Sequence, residues 1–169
     1  MLSITKEKLI RTLRRVLVLL VLYFAQNALA WVRIAGAAPL LLVSGAIALV
    51  MLCDGEWSAA WGLFAGILCD ISTGGRAFYT LVLMILGLAM GMLVQFYLAR
   101  TAVTFMLGAI AANAVVVALQ LVPMCVFRSI PLKVVAATAI AQLVYAVVLA
   151  LPVYELARLI AGSNARSRR

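Results

Sequence analysis

From Phe78 to Leu98 the chain carries no charged side chain, and the run stops only at Arg100. About 20 apolar residues of helix cross the roughly 30 Å hydrocarbon core of a bilayer, with a lower limit of about 17. One such run permits one crossing, and the sequence holds several. Val16 to Val32 lies between Arg14-Arg15 and Arg33, and Gly36 to Leu52 precedes the polar turn Cys53-Asp54-Gly55-Glu56. Trp57 to Ile71 is short and runs into Ser72-Thr73-Gly74-Gly75-Arg76. Ala102 to Val122 ends ahead of Pro123, and Leu132 to Leu151 ends against Pro152. Composition sets the same limit. Of 169 residues, 67% are hydrophobic and 11% charged, against about half and a quarter in soluble chains. A water-soluble domain of this size has too much surface to hide so many apolar side chains. The expected fold is an all-α membrane protein, a compact bundle of six transmembrane helices.

Charge orients the bundle, because cytoplasmic loops of membrane proteins collect Lys and Arg. With the amino terminus inside, Lys6, Lys8, Arg11, Arg14, Arg15, Arg100, Arg158, Arg166, Arg168 and Arg169 face in, while Arg33, Arg76, Arg128 and Lys133 face out. Both termini are expected in the cytoplasm. Residues 1–15 then form an interfacial basic segment, 16–152 the six-helix domain, and 153–169 an interfacial helix and basic tail. Leu9, Ile10 and Leu13 among five cations suit a helix lying on anionic lipid. Glu155 and Arg158, three apart, are expected to pair on one face of the last helix. Ala28-Leu29-Ala30 has the form of a signal-peptide cleavage site, but a further hydrophobic segment follows, and the first span is expected to be retained.

The net charge of +9 sits mostly at the two ends of a hydrophobic chain, which argues for membrane orientation and against a nucleic-acid partner. The chain has no histidine, so imidazole acid-base catalysis and His metal ligation are excluded. Cys53, Cys69 and Cys125 lie far apart without a CxxC spacing, so no zinc or redox motif is indicated. Cys69 and Cys125 both fall near the outer face and are expected free and buried. No Lys or His lies inside a span to activate Ser44 as a nucleophile. We therefore expect no enzyme, no cofactor and no metal.

Ionisable groups at membrane depth are costly and need a partner or a purpose. Asp70 is the only acid inside an expected span. Gly62, Gly66 and Asp70 are spaced four apart and share one helix face, where two glycines let a neighbouring backbone approach closely. That face is expected to be a helix-packing or partner interface, continuing to Gly74. Asp70 is expected to join an outer polar cluster with Arg76 and one or more of Gln26, Asn27 and Gln120. Asn113 with Gln120, and Thr138 with Gln142 and Tyr145, also fall on single helix faces and are expected to fasten helices by hydrogen bonds. Gly87 and Gly91 add a close-packing face to the fourth span.

The stretch Gly62-Leu63-Phe64-Ala65-Gly66-Ile67-Leu68-Cys69-Asp70-Ile71-Ser72-Thr73-Gly74, followed by Leu81-Val82-Leu83-Met84-Ile85-Leu86-Gly87, resembles the MreD family of bacterial rod shape-determining membrane proteins. Family members are similar in size, nearly all membrane, and carry a G-x3-G-x3-D stretch before a small-residue turn and a Leu-rich span ending in Gly. This chain departs from the family pattern in placing Arg76 in a turn that is usually rich in apolar residues. The resemblance implies a non-enzymatic scaffold subunit of the cell-elongation complex, multi-pass in the bacterial cytoplasmic membrane. It also implies an MreC-like bitopic partner and, indirectly, the MreB filament, a RodA-type glycosyltransferase and a class B penicillin-binding protein. The implied fold is similar to the substrate-binding subunit of energy-coupling-factor vitamin transporters. That similarity supplies an alternative function, vitamin capture, although the outer loops here are short apart from Pro123 to Pro131.

Overall fold

The computed structural model describes residues 2–29, 40–52, 57–74, 77–128 and 132–161. They form six helices and no strand: α1 (Leu2–Leu29), α2 (Leu41–Leu52), α3 (Ser58–Thr73), α4 (Phe78–Phe96), α5 (Ala102–Arg128) and α6 (Leu132–Ala161). The centre of the packing is α2. Every side chain from Leu41 to Met51 is buried, and α2 touches each of the other five helices. A helix that is apolar on all sides has no solvent face to offer and belongs inside. At about 1.5 Å per residue, its 12 residues rise only about 18 Å.

Contacts between named residues fix the helix directions. The amide N–H of Leu42 meets Gln26, while Gly45 faces Leu22 and Leu19, so α2 runs antiparallel to α1. Asp70 meets Thr80 and Gly62 meets Leu83, so α4 runs back along α3. Gln26 reaches Ser72 and Arg15 lies over Trp61; both pairs are 46 residues apart, so α1 and α3 run parallel in constant register. Ser44 meets Asn113 and Ile47 faces Gly108, which sets α5 antiparallel to α2. Near the start of α5, Phe105 stacks on Tyr154 from the last third of α6, with ring centroids 4.8 Å apart.

The helix bounds differ from expectation at three places. Residues 2–15 are not set off from the first apolar run as a separate element, because α1 passes through Arg14-Arg15 without a break. Charged side chains do not interrupt the local backbone bonding of a helix, and the described side chains from Lys6 to Arg14 are all exposed. Pro123 does not end α5, which continues to Arg128. Pro152 does not end α6 either. Proline removes one N–H and leaves one carbonyl unpaired, a loss that helices packed in bundles tolerate. Val153, Ala157 and Ala150 are buried on both sides of Pro152, so packing holds α6 together across it. Glu155 and Arg158 pair on this helix at 3.8 Å, both side chains well exposed.

Phe78–Phe96, Ala102–Gln120 and Ala136–Ile160 are each long and apolar enough to cross a membrane; Leu41–Leu52 and Ser58–Thr73 are apolar but shorter. Outer faces are apolar too. Leu81, Ile85, Leu88 and Met92 form an exposed stripe down α4, a surface that is unfavourable in water and neutral against lipid tails. These features are consistent with a membrane protein.

One polar contact lies in the middle of the packing. Asn113 Nδ2 donates to Ser44 Oγ at 3.2 Å and to the Ala109 carbonyl at 2.8 Å, with both Asn113 and Ser44 buried. Interhelical hydrogen bonds in membrane proteins contribute about 0.6 kcal/mol on average and up to about 1.7. We expect Asn113→Ala and Ser44→Ala each to lower unfolding free energy in detergent by about 1 kcal/mol. The double variant should lose no more than the larger single loss. Additive losses in a chemical denaturation cycle would show that the two side chains are not coupled.

Candidate functional site

The glycine stripe of α3 lies against α4. A Cβ on Gly62 would collide with the Leu83 carbonyl oxygen, and one on Gly66 would lie 2.5 Å from Thr80 Cα and 2.7 Å from the Tyr79 carbonyl oxygen. From the other side, a Cβ on Gly87 would lie 2.8 Å from the Ser58 carbonyl oxygen and 3.2 Å from Gly62 Cα. The two backbones therefore touch with no side chain between them, which only glycine allows.

Asp70 completes this face and serves the ends of both helices. The first amides of a helix have no partner within it. An N-terminal capping side chain usually accepts from the second or third of them. The residue in that position before α4 is Ala77, which has no side-chain acceptor and adopts φ 51°. Asp70 takes the role from the preceding helix. Its Oδ1 accepts from Tyr79 N–H at 3.1 Å, and its Oδ2 from Thr80 N–H at 2.8 Å and from the Thr80 hydroxyl. Its negative charge also sits at the positive end of the α4 dipole. The Asp70 backbone carbonyl accepts from Gly74 N–H, and Gly74 turns the chain out of α3 in the left-handed region at φ 98°.

Gln26 makes a similar junction nearby. Its Oε1 accepts from Leu42 N–H at the start of α2 at 3.0 Å, and its Nε2 donates to Ser72 Oγ at 3.2 Å. The Ser72 and Thr73 hydroxyls both donate to the Cys69 carbonyl at 2.8 Å. Gln26 thus joins the α1–α2 hairpin to the last turn of α3, one turn from Asp70.

The expected outer cluster is distributed otherwise. Asp70 and Gln26 come to the same end of the bundle, but each caps a different helix and no hydrogen bond links them. Asn27 donates to the Tyr23 carbonyl within its own helix at 3.0 Å. Gln120 is half-buried and bonds to neither Asp70 nor Gln26. Arg76 lies outside the described residues, as does the side chain of Cys125; Cys69 is buried and free. Sequence reasoning missed Tyr79 and Thr80 as the partners of Asp70. The available signal was the start of α4, where none of the four residues before Phe78 (Gly74, Gly75, Arg76 and Ala77) is a Ser, Thr, Asp or Asn.

Both Asp70 oxygens are engaged by three donors, so the carboxylate is arranged to hold the α3–α4 turn. Among the described residues no three His, Cys, Asp or Glu side chains gather as for a metal ion. Comparison with protein families, curated proteins and solved structures finds no match for the chain.

The junction predicts an order of damage in thermal unfolding. Asp70→Ala leaves buried amides unpaired and should cost about 1–3 kcal/mol. Asp70→Asn keeps one acceptor and should fall between it and the parent. Gly62→Ala and Gly66→Ala force backbones apart and should cost about 1–3 kcal/mol or more. Gly74→Ala has open space around it and should cost only about 1 kcal/mol of backbone strain. A Gly66→Ala variant as stable as the parent would contradict the backbone contact.

Proposed function

We propose that the chain is a non-enzymatic scaffold subunit of the bacterial cell-elongation machinery, similar to MreD and embedded in the cytoplasmic membrane. It would regulate cell shape by holding an MreC-like bitopic protein, and through it the MreB filament, a RodA-type glycosyltransferase and a class B penicillin-binding protein. In this reading six helices cross the membrane and both termini are cytoplasmic, with anionic lipid at the basic ends. Alternating helix directions and three long apolar helices support that placement.

The observation that carries the scaffold reading is the α3–α4 hairpin. Its packing stripe, Gly62, Gly66 and Asp70, is consumed internally by α4. What the hairpin offers outward is a stiff rod bearing the apolar stripe Leu81, Ile85, Leu88 and Met92. Helices associate within lipid by close packing on preformed surfaces of this kind, which supports α4 as the face that would receive the partner's membrane helix.

Detergent co-purification with an MreC-like protein tests this, with thermal unfolding of each variant measured in parallel. Ile85→Trp should reduce recovered partner severalfold while leaving the unfolding temperature unchanged. Gly66→Leu and Asp70→Ala should lose partner and stability together. Full recovery with Ile85→Trp removes the α4 face, and failure of the parent chain to retain any such partner removes the function.

A further inference from the structure

At the end of the α1–α3 contact opposite Asp70, Arg15 and Trp61 meet. The guanidinium carbon of Arg15 lies 5.9 Å from the centre of the Trp61 ring, and Trp61 is only 8% exposed. Two N–H donors there have no acceptor, Arg15 Nε and Trp61 Nε1, and both are closed to solvent. Arg15 is half-buried, so its guanidinium is only partly hydrated. A buried N–H donor left without an acceptor is costly, and the aromatic face beneath the guanidinium offsets only part of that cost.

The surroundings indicate what kind of anion would fit. Lys6, Lys8, Arg11 and Arg14 precede Arg15 on the same helix, with exposed side chains. These cations outnumber Glu7, Asp54 and Glu56, the acids near them in sequence or across the α2–α3 connection. Arg15 is the last charge before the first apolar run. Trp57, one turn ahead of Trp61, is 64% exposed, and tryptophan collects where lipid headgroups meet hydrocarbon. Beyond this level the exposed side chains of α1 and α3 are apolar, with Leu17, Val21, Leu63 and Ile67 among them.

We propose that Arg15 and Trp61 form a binding site for the phosphate of one anionic phospholipid. The planar guanidinium suits a phosphate bidentately. A small swing of the guanidinium off the ring presents Nε and one Nη as a fork, and frees the indole N–H for a second phosphate oxygen. The acyl chains then lie on the apolar faces of α1 and α3. The site rests on the membrane placement of the bundle and not on its role in cell elongation.

The test is native mass spectrometry of the full chain, stripped of lipid in a maltoside detergent. It is titrated with dioleoylphosphatidylglycerol, with dioleoylglycerol (chains without phosphate) and with glycerol 3-phosphate (phosphate without chains). One phosphatidylglycerol should bind first and most tightly. Arg15→Gln should weaken it about tenfold, Arg15→Lys less, and Trp61→Phe, which keeps a ring but loses the N–H, about threefold. Lys8→Gln should change it little. Arg15→Lys and Trp61→Phe retain charge or ring, so the comparison holds even where Arg15→Gln unfolds. Equal weakening by Lys8→Gln and Arg15→Lys would overturn the site in favour of diffuse charge attraction. Binding of dioleoylglycerol or glycerol 3-phosphate as tight as that of phosphatidylglycerol would also overturn it. So would unchanged affinity in both Arg15→Lys and Trp61→Phe. Any of these leaves the scaffold reading standing, since partner recovery is measured separately.

Discussion

A helix that begins inside an apolar medium must find acceptors for its first amide groups, because no water is there to take them. This chain meets the requirement with side chains from the helix before. Gln26 of α1 accepts from the start of α2, and Asp70 of α3 accepts from the start of α4. Each acceptor is therefore also a link between two helices. The last turn of α3 carries both arrangements at once, since Ser72 receives Gln26 while Asp70 reaches forward to Thr80. Uncapped amides thus explain why Gln26, Asp70, Ser72 and Thr80 gather at one end of the bundle.

Six helices were readable from six apolar runs, each of which holds one helix. Helix ends were less readable. Pro123 and Pro152 looked like stops, yet α5 and α6 continue through them, and buried Ala150, Val153 and Ala157 hold α6 across the second. Arg14-Arg15 looked like an element boundary, yet it lies within one continuous α1. The stripe Gly62-Gly66-Asp70 was readable as a contact face from its spacing of four. Its partner was not, because spacing within one helix says nothing about which helix fills the groove. Asp70 was expected beside Arg76 and side-chain amides on the logic that charges seek charges or polar groups. Arg76 lies outside the described residues; among those described, the backbone amides of Tyr79 and Thr80 and the Thr80 hydroxyl satisfy Asp70, and Ala77 in the capping position was the clue.

The helices are not fastened with equal stiffness. Between α3 and α4 the contacts are backbone on backbone, at Gly62, Gly66 and Gly87. Elsewhere glycine meets the tips of flexible side chains: Gly45 faces Leu22, and Gly108 faces Met90. A methionine or leucine tip can move aside for a neighbour that shifts, whereas a carbonyl oxygen fixed in a helix cannot. The α3–α4 hairpin is therefore the stiffest part of the described fold, and α2 is the apolar axle against which the other helices can settle.

That difference bears on how a partner could use the molecule. A partner helix gains most from a surface whose shape is set before it arrives, since ordering a loose surface on contact costs conformational entropy. The exposed stripe of α4 is backed by the hairpin, so its side chains start from a fixed backbone. The exposed faces of α5 and α6 lack such backing on the described residues, with Phe105 on Tyr154 a side-chain contact between them. In the proposed scaffold role, the acid at position 70 would matter to a partner without touching it. It sets the register of α4 on α3, and one turn of slip would move Leu81, Ile85, Leu88 and Met92 by about 5.4 Å along the rod. Such a slip would exchange the side chain at each level of the stripe, so a docked helix would meet different shapes along it.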